Sequence, residues 1–135
     1  EKICAEGYAV FGHIYTNDTK DGISDELRAF DKTTFLKRST RWEPIIGKWV
    51  APLDLNTILE IPLWTRGIGM DRVPDMDQAL KNADTMSREL SLHDDATWNF
   101  WLPKYIRMFA EQGWQPRYTS RNLMLRNTWN LMVRI

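Results

Sequence analysis

"TTFLKRSTRW" (residues 33–42) gathers Lys37, Arg38 and Arg41 around Phe35, Leu36 and Trp42 in a 135-residue chain of zero formal net charge. Two physical readings compete for it. In one, an amphipathic strand simply turns a solvated basic face to water. In the other, the strand holds an anion, because phosphate is neutralised by cations clustered locally and not by net charge. The following "EPIIG" (43–47) has turn chemistry, with Pro44 and Gly47 bracketing a loop. Residues 33–42 and 48–53 are therefore expected to pair as the two strands of a hairpin.

Outward from this stretch the signals change. Towards the N-terminus, Ile3, Cys4, Tyr8 and Phe11 fall near helical spacing, and Gly12 reads as a stop. His13–Thr16 is expected as a short strand, and "TNDTKDG" (16–22) as a turn. Towards the C-terminus the pattern is helical. Asp54 or Asn56 can cap a helix reaching about Leu63, with Pro62 limiting its end. Asp75 and Gln78 read as a capping box for a long helix with Met76, Ala79, Leu80, Ala83, Met86 and Leu90 on one face. Another begins at Asp94-Asp95 and presents Trp98, Trp101, Leu102, Tyr105, Ile106 and Phe109, with a kink expected at Pro103 and a C-terminal stop at Gly113. The fold class is thus α+β, a small antiparallel β portion followed by a helical majority.

Composition excludes several functions. No apolar run approaches the ~20 residues that span a bilayer. Cys4 is the sole cysteine, so no internal disulfide can form, and a reducing, cytosolic setting fits. With His13 and His93 far apart, no zinc ligand set exists, and Asp94-Asp95 reads as helix capping, not as a metal pair. There is no phosphate-cradling glycine loop and no G-x-S-x-G elbow. Charge is uneven: acids outnumber bases over residues 1–32, whereas from Gly113 onward Arg117, Arg121, Arg126 and Arg134 meet no acid. Lys20 lies in a turn after a strand, between Asp18 and Asp21, where nothing structural demands a lysine. By itself it reads as a solvated loop residue.

The order of these features decides more than any one of them. Helix ending near Gly12, "HIYT", "NDTK", "FLKR" and "WVAPLDLNTILEIPLW" follow one another. Together they resemble the region after the catalytic carboxylates in RNA-dependent RNA polymerases of picorna-like viruses, dicistrovirus and iflavirus enzymes above all. "ELSLHDDATWNFW" is similar to their later thumb helices. The resemblance runs over roughly residues 5–110. It implies that residues 1–32 close the palm (motif D), that 33–53 form the motif E hairpin, and that 54–135 form a helical thumb with a basic tail.

The resemblance also implies roles. Lys20 matches the motif D lysine, a general acid that protonates departing pyrophosphate. Lys37, Arg38 and Arg41 match the hairpin that meets primer RNA and nucleotide phosphates, with Phe35 and Leu36 anchoring the strand beneath. The implied partners are a template–primer RNA duplex, nucleoside triphosphates and the remaining palm and fingers, in replication complexes of the host cytoplasm. The implied cofactor is Mg²⁺ or Mn²⁺, held by aspartates outside this chain, since no Gly-Asp-Asp occurs here. The chain reads as a carboxy-terminal piece of a polymerase, inactive by itself, with self-association or partial disorder expected in its first thirty residues. The stretch after Gln115 matches nothing in the family; its arginines, Tyr118 and Trp129 are open to RNA contact or to a poorly ordered end. The competing reading is a stand-alone helical protein-interaction or RNA-binding module, favoured by the abundance of Trp.

Overall fold

The computed structural model describes residues 2–16, 20, 22, 28–64 and 76–133. Its elements run α1 (Lys2–Val10), a 3-10 turn (Phe30–Lys32), β1 (Arg41–Glu43), β2 (Lys48–Val50), α2 (Leu55–Glu60), a second 3-10 turn (Ile61–Leu63), α3 (Met76–Ser91), α4 (Asp95–Glu111) and α5 (Arg121–Val133). The architecture is α+β, as the sequence pattern implies. β1 and β2 are antiparallel, in register Arg41–Val50, Trp42–Trp49 and Glu43–Lys48.

The hairpin differs from the two long strands expected. Only three residues of each strand pair regularly, because residues 35–38 form a second reversal. Leu36 and Lys37 are both left-handed, with φ of 51° and 61°, and Phe35 and Arg38 exchange two backbone hydrogen bonds of 2.9 Å. Two left-handed central residues are the pattern of a type I′ turn, whose twist matches the strands it joins. The tip is tied down from the far side. Lys37 O accepts from Asp54 N at 2.7 Å, and Pro52 O accepts from Ser39 N at 3.1 Å. Phe35 and Leu36 therefore do not anchor the strand beneath: at the apex of a turn they are 77% and 76% exposed.

α1 forms as expected and ends at Gly12, whose φ of 76° suits a residue without Cβ. No residue of α1 is buried. His13–Thr16 forms no strand, since among the described residues β1 and β2 pair only with each other. A lone extended segment has no ladder to hold it.

The helical part is set by its caps and by apolar clusters between its helices. Asp54 caps α2, accepting from Thr57 N at 3.1 Å, and Asp94 caps α4, accepting from Thr97 N at 2.8 Å. Hydrogen bonds from the Thr97 side chain and backbone hold the Asp94 carboxyl below the usual carboxylate range. The capping reading of Asp94 is thus correct. Asp75 of the expected capping box lies outside the described residues; Gln78 instead donates to Asn82 Oδ1 at 2.8 Å. α4 continues through Pro103. It ends in a Schellman motif: Gly113 N bonds Ala110 O, Trp114 N bonds Phe109 O, and the Phe109 and Trp114 rings meet.

Ala79, Ala83, Met86 and Leu90 of α3 are buried as their spacing implies, whereas Met76 stays half-exposed at the helix start. The main core joins Ile58, Met86, Leu90, Trp98, Leu102 and Met124, one side chain or more from each of α2 to α5. At roughly 1.5–3 kcal/mol per buried large side chain, this cluster is the main cohesive term. A second cluster, Val50, Leu92 and Leu125 with Ile45 and Ile46, fastens the hairpin to the helices. The stretch after Gln115 is neither unplaced nor free: it supplies α5 to both clusters.

Candidate functional site

The hairpin is held by charge as well as by apolar contact. Glu43, on β1, is 1% exposed although it carries a carboxylate. Burial opposes its ionisation. Hydrogen bonds from Arg41, from Ile45 N and from Arg121 outweigh that penalty and hold the carboxyl below its ordinary range. Arg41 Nη1 donates to Glu43 Oε2 at 2.6 Å and to Leu92 O at 3.0 Å. Arg121, the first residue of α5, donates to Glu43 Oε2 at 2.5 Å, to Asp95 Oδ1 at 2.9 Å and to His93 O. One buried acid thus binds the hairpin, the α3–α4 corner and α5 together.

A second brace lies nearer the tip. Arg38 makes a two-pronged pair with Glu89 of α3, at 2.9 and 2.8 Å, and also donates to Ala51 O at 2.9 Å. The Glu89 bond raises the Arg38 pKa further, against the opposing effect of burial. Planar, fork-to-fork pairing of this kind fixes orientation as well as charge. His93 adds a third tie, donating from Nε2 to Leu53 O at 2.7 Å.

Among the cations expected at the site, the structure therefore divides them. Arg38 and Arg41 face carboxylates of their own chain. Lys37, at the apex of the turn, is exposed and makes no salt bridge among the described residues. It borders a cleft of about 380 Å³, whose other walls include Thr34, Ser39, Asp54 and His93. Lys20 is exposed and left-handed, with φ of 60°. The contacts within the described residues do not join it to the hairpin, and the neighbours Asp18 and Asp21 lie outside those residues.

On its outer face the hairpin carries aromatics. Trp42 and Trp49 pair across the strands with ring centroids 5.9 Å apart, and Phe30 meets Trp49 edge-on at 5.4 Å. All three are about half exposed. Among the described residues, no group of three or more His, Cys, Asp or Glu side chains could hold a metal ion. The arrangement offers fixed cations and aromatic faces; it does not offer a nucleophile with a base beside it.

No family model matches the chain. It is 31% identical over 99 residues, 71% of its length, to the replicase polyprotein of acute bee paralysis virus (strain Rothamsted). It is 35% identical over 82 residues, 60% of its length, to the replicase polyprotein of Drosophila C virus (strain EB). The chain resembles a region of picorna-like viral replicases. It spans only 5% and 4% of those two polyproteins, so the likeness concerns one short region of each.

Two features of this replicase-like region are absent from the sequence reading. Glu43 is the lone acid of residues 33–49, which signals a partner without naming it. α5 carries an N-cap, Ser120, whose Oγ accepts from Leu123 N, but its inward positions include Arg121 and Thr128. Polar residues at buried positions weaken the periodicity on which a helix is recognised. Tyr118 is also inward-facing: burial pushes its pKa up to about 12, and its hydroxyl has no hydrogen-bond partner among the described residues.

Proposed function

We propose that this chain is the closing part of a viral RNA-directed RNA polymerase: the palm end over residues 1–32, the motif E hairpin over 33–53 and the thumb over 54–135. The observation that carries the reading is the likeness to viral replicase polyproteins over 71% of the chain. The hairpin's form supports it, because a braced turn with one outward ammonium is suited to hold a phosphate in place.

In this reading Lys37 meets a phosphate of the primer strand or of the incoming nucleotide. Arg38 and Arg41 act as positioning residues that fix the hairpin against α3 and the α4 corner, and they add positive potential at short range. Phe35 and Leu36, exposed at the apex, contact the sugar and base faces of the RNA. The helical bundle receives the product duplex by its shape and backbone. Lys20 donates a proton to the pyrophosphate oxygen as the bond to the α-phosphorus breaks, so that the leaving group departs with less charge. The divalent ion would be held by carboxylates outside this chain and would neutralise charge on the transferring phosphate. The isolated chain does not incorporate nucleotides.

The test is primer extension by the parent polymerase carrying Lys20→Leu. General acid catalysis contributes on the order of 10²–10⁴ in rate, so kcat is expected to fall steeply and the pH dependence of kcat to change. Wild-type kcat with an unchanged pH profile contradicts the role.

A further inference from the structure

A groove runs between the hairpin loop and α5, away from the tip cleft. It consists of two adjoining hollows of about 390 and 260 Å³ that share Trp129 as a common wall. Trp49 lines the first hollow; Ile45, Ile46, Arg126 and Asn130 line the second. Among the described residues, no acidic side chain lines either hollow. The one guanidinium on the first, Arg38, is already matched by Glu89. Arg126 is exposed and in no salt bridge among the described residues, in contrast to buried Arg121 five residues earlier on the same helix.

From these observations we infer that the groove between the hairpin loop and α5 binds single-stranded RNA, with bases on the Trp49 and Trp129 indoles and a phosphate on Arg126. The chemistry favours this occupant. Indole faces accept any base by stacking. An unpaired guanidinium with no acid nearby attracts a phosphate. The Asn130 amide supplies both a donor and an acceptor for a base edge. The pairing of stacking platforms with a lone cation is the pattern of single-strand recognition, whereas a duplex hides its base faces and offers nothing to the indoles. α5 therefore has two separate sides, Arg121 inward to brace the hairpin and Arg126 outward to hold an unpaired strand.

The inference rests on the RNA-handling reading above, and the experiment keeps the two apart. The 135-residue chain is titrated with an eight-nucleotide oligouridylate, followed by tryptophan fluorescence, and separately with a hairpin-primed RNA duplex. Trp129→Ala is expected to weaken oligouridylate binding roughly tenfold, in keeping with the loss of one stacked base. Arg126→Gln is expected to lower the slope of log K against log salt by about 0.7, the release from one single-strand phosphate. Trp129→Phe, which keeps a stacking face and the core, restores most of the affinity and excludes a folding defect as the cause. Crosslinking of a 5-bromouridine oligomer is expected at Trp49 or Trp129. Unchanged oligouridylate affinity in both Trp129→Ala and Arg126→Gln, or crosslinks confined to the Lys37 tip, overturns the groove. Uptake of an apolar peptide in the groove without competition by oligouridylate overturns it also. Duplex binding without single-strand binding contradicts this inference alone; binding of neither contradicts the RNA reading as well.

Discussion

At the scale of single residues, Glu43 is the position on which most depends. Its carboxylate is buried and satisfied by Arg41 and Ile45 N of the hairpin and by Arg121 of α5, so removing Arg121 takes away one of its two cations and leaves Arg41 alone to compensate it. Breaking one side of such a pair costs about 3–5 kcal/mol. Because Arg41 still pairs with Glu43, Arg121→Ala is expected to lower stability by about 3 kcal/mol, the lower end of that range, in urea unfolding. Glu43→Gln is expected to cost less, because the amide oxygen still accepts one bond and no charge is stranded on the acid side. The pH dependence follows from the depressed carboxyl. A folded pKa below the unfolded one contributes stability that is fully present above the unfolded value and lost as pH falls through the folded one. Wild-type protein is thus expected to lose stability progressively as pH falls below the ordinary carboxylate range, and Glu43→Gln to show a shallower loss there. An identical pH profile for the two proteins contradicts the account of this site.

At the scale of elements, the hairpin tip and α5 show where sequence reading succeeds and where it fails. The basic stretch at 33–42, the caps at Asp54 and Asp94 and the stop at Gly113 were all legible, since each rests on local chemistry. The turn at Leu36-Lys37 was not, because neither residue type favours a left-handed backbone. That conformation costs about 1–2 kcal/mol for a residue with a branched side chain, and strain of this kind is commonly kept where a side chain must be aimed. Leu36→Asn, which tolerates positive φ, is expected to raise stability by about 1 kcal/mol in thermal unfolding. Leu36 is 76% exposed, so little burial is lost in exchange. A destabilised Leu36→Asn variant contradicts the strained-turn description. α5 escaped for a different reason: its inward Arg121 pairs with Glu43 and Asp95, both distant in sequence, and no local rule anticipates such a partner.

At the scale of the whole molecule, the described residues fall into two kinds of surface. α2 to α5 enclose one interior, whereas α1 buries nothing and leaves Ile3 and Val10 more than four-fifths exposed. Exposed apolar faces of this extent mark contact sites, and in the polymerase reading they meet the remaining palm. The order of "NDTK", "FLKR" and "APLDLNTILEIPLW" implied a picorna-like viral replicase, and the likeness to replicase polyproteins agrees with that coarser reading. What order could not convey is the division of labour among the cations: Arg38, Arg41 and Arg121 are bound within the fold, and Lys37 is presented outward. That division is the central claim, and filter binding of a primer–template RNA duplex to the 135-residue chain across a salt series tests it most directly. Duplex affinity is expected to fall with salt, and Lys37→Ala to lower the slope of log K against log salt by about one phosphate's worth. A slope that Lys37→Ala leaves unchanged, or the absence of salt-dependent binding, contradicts it.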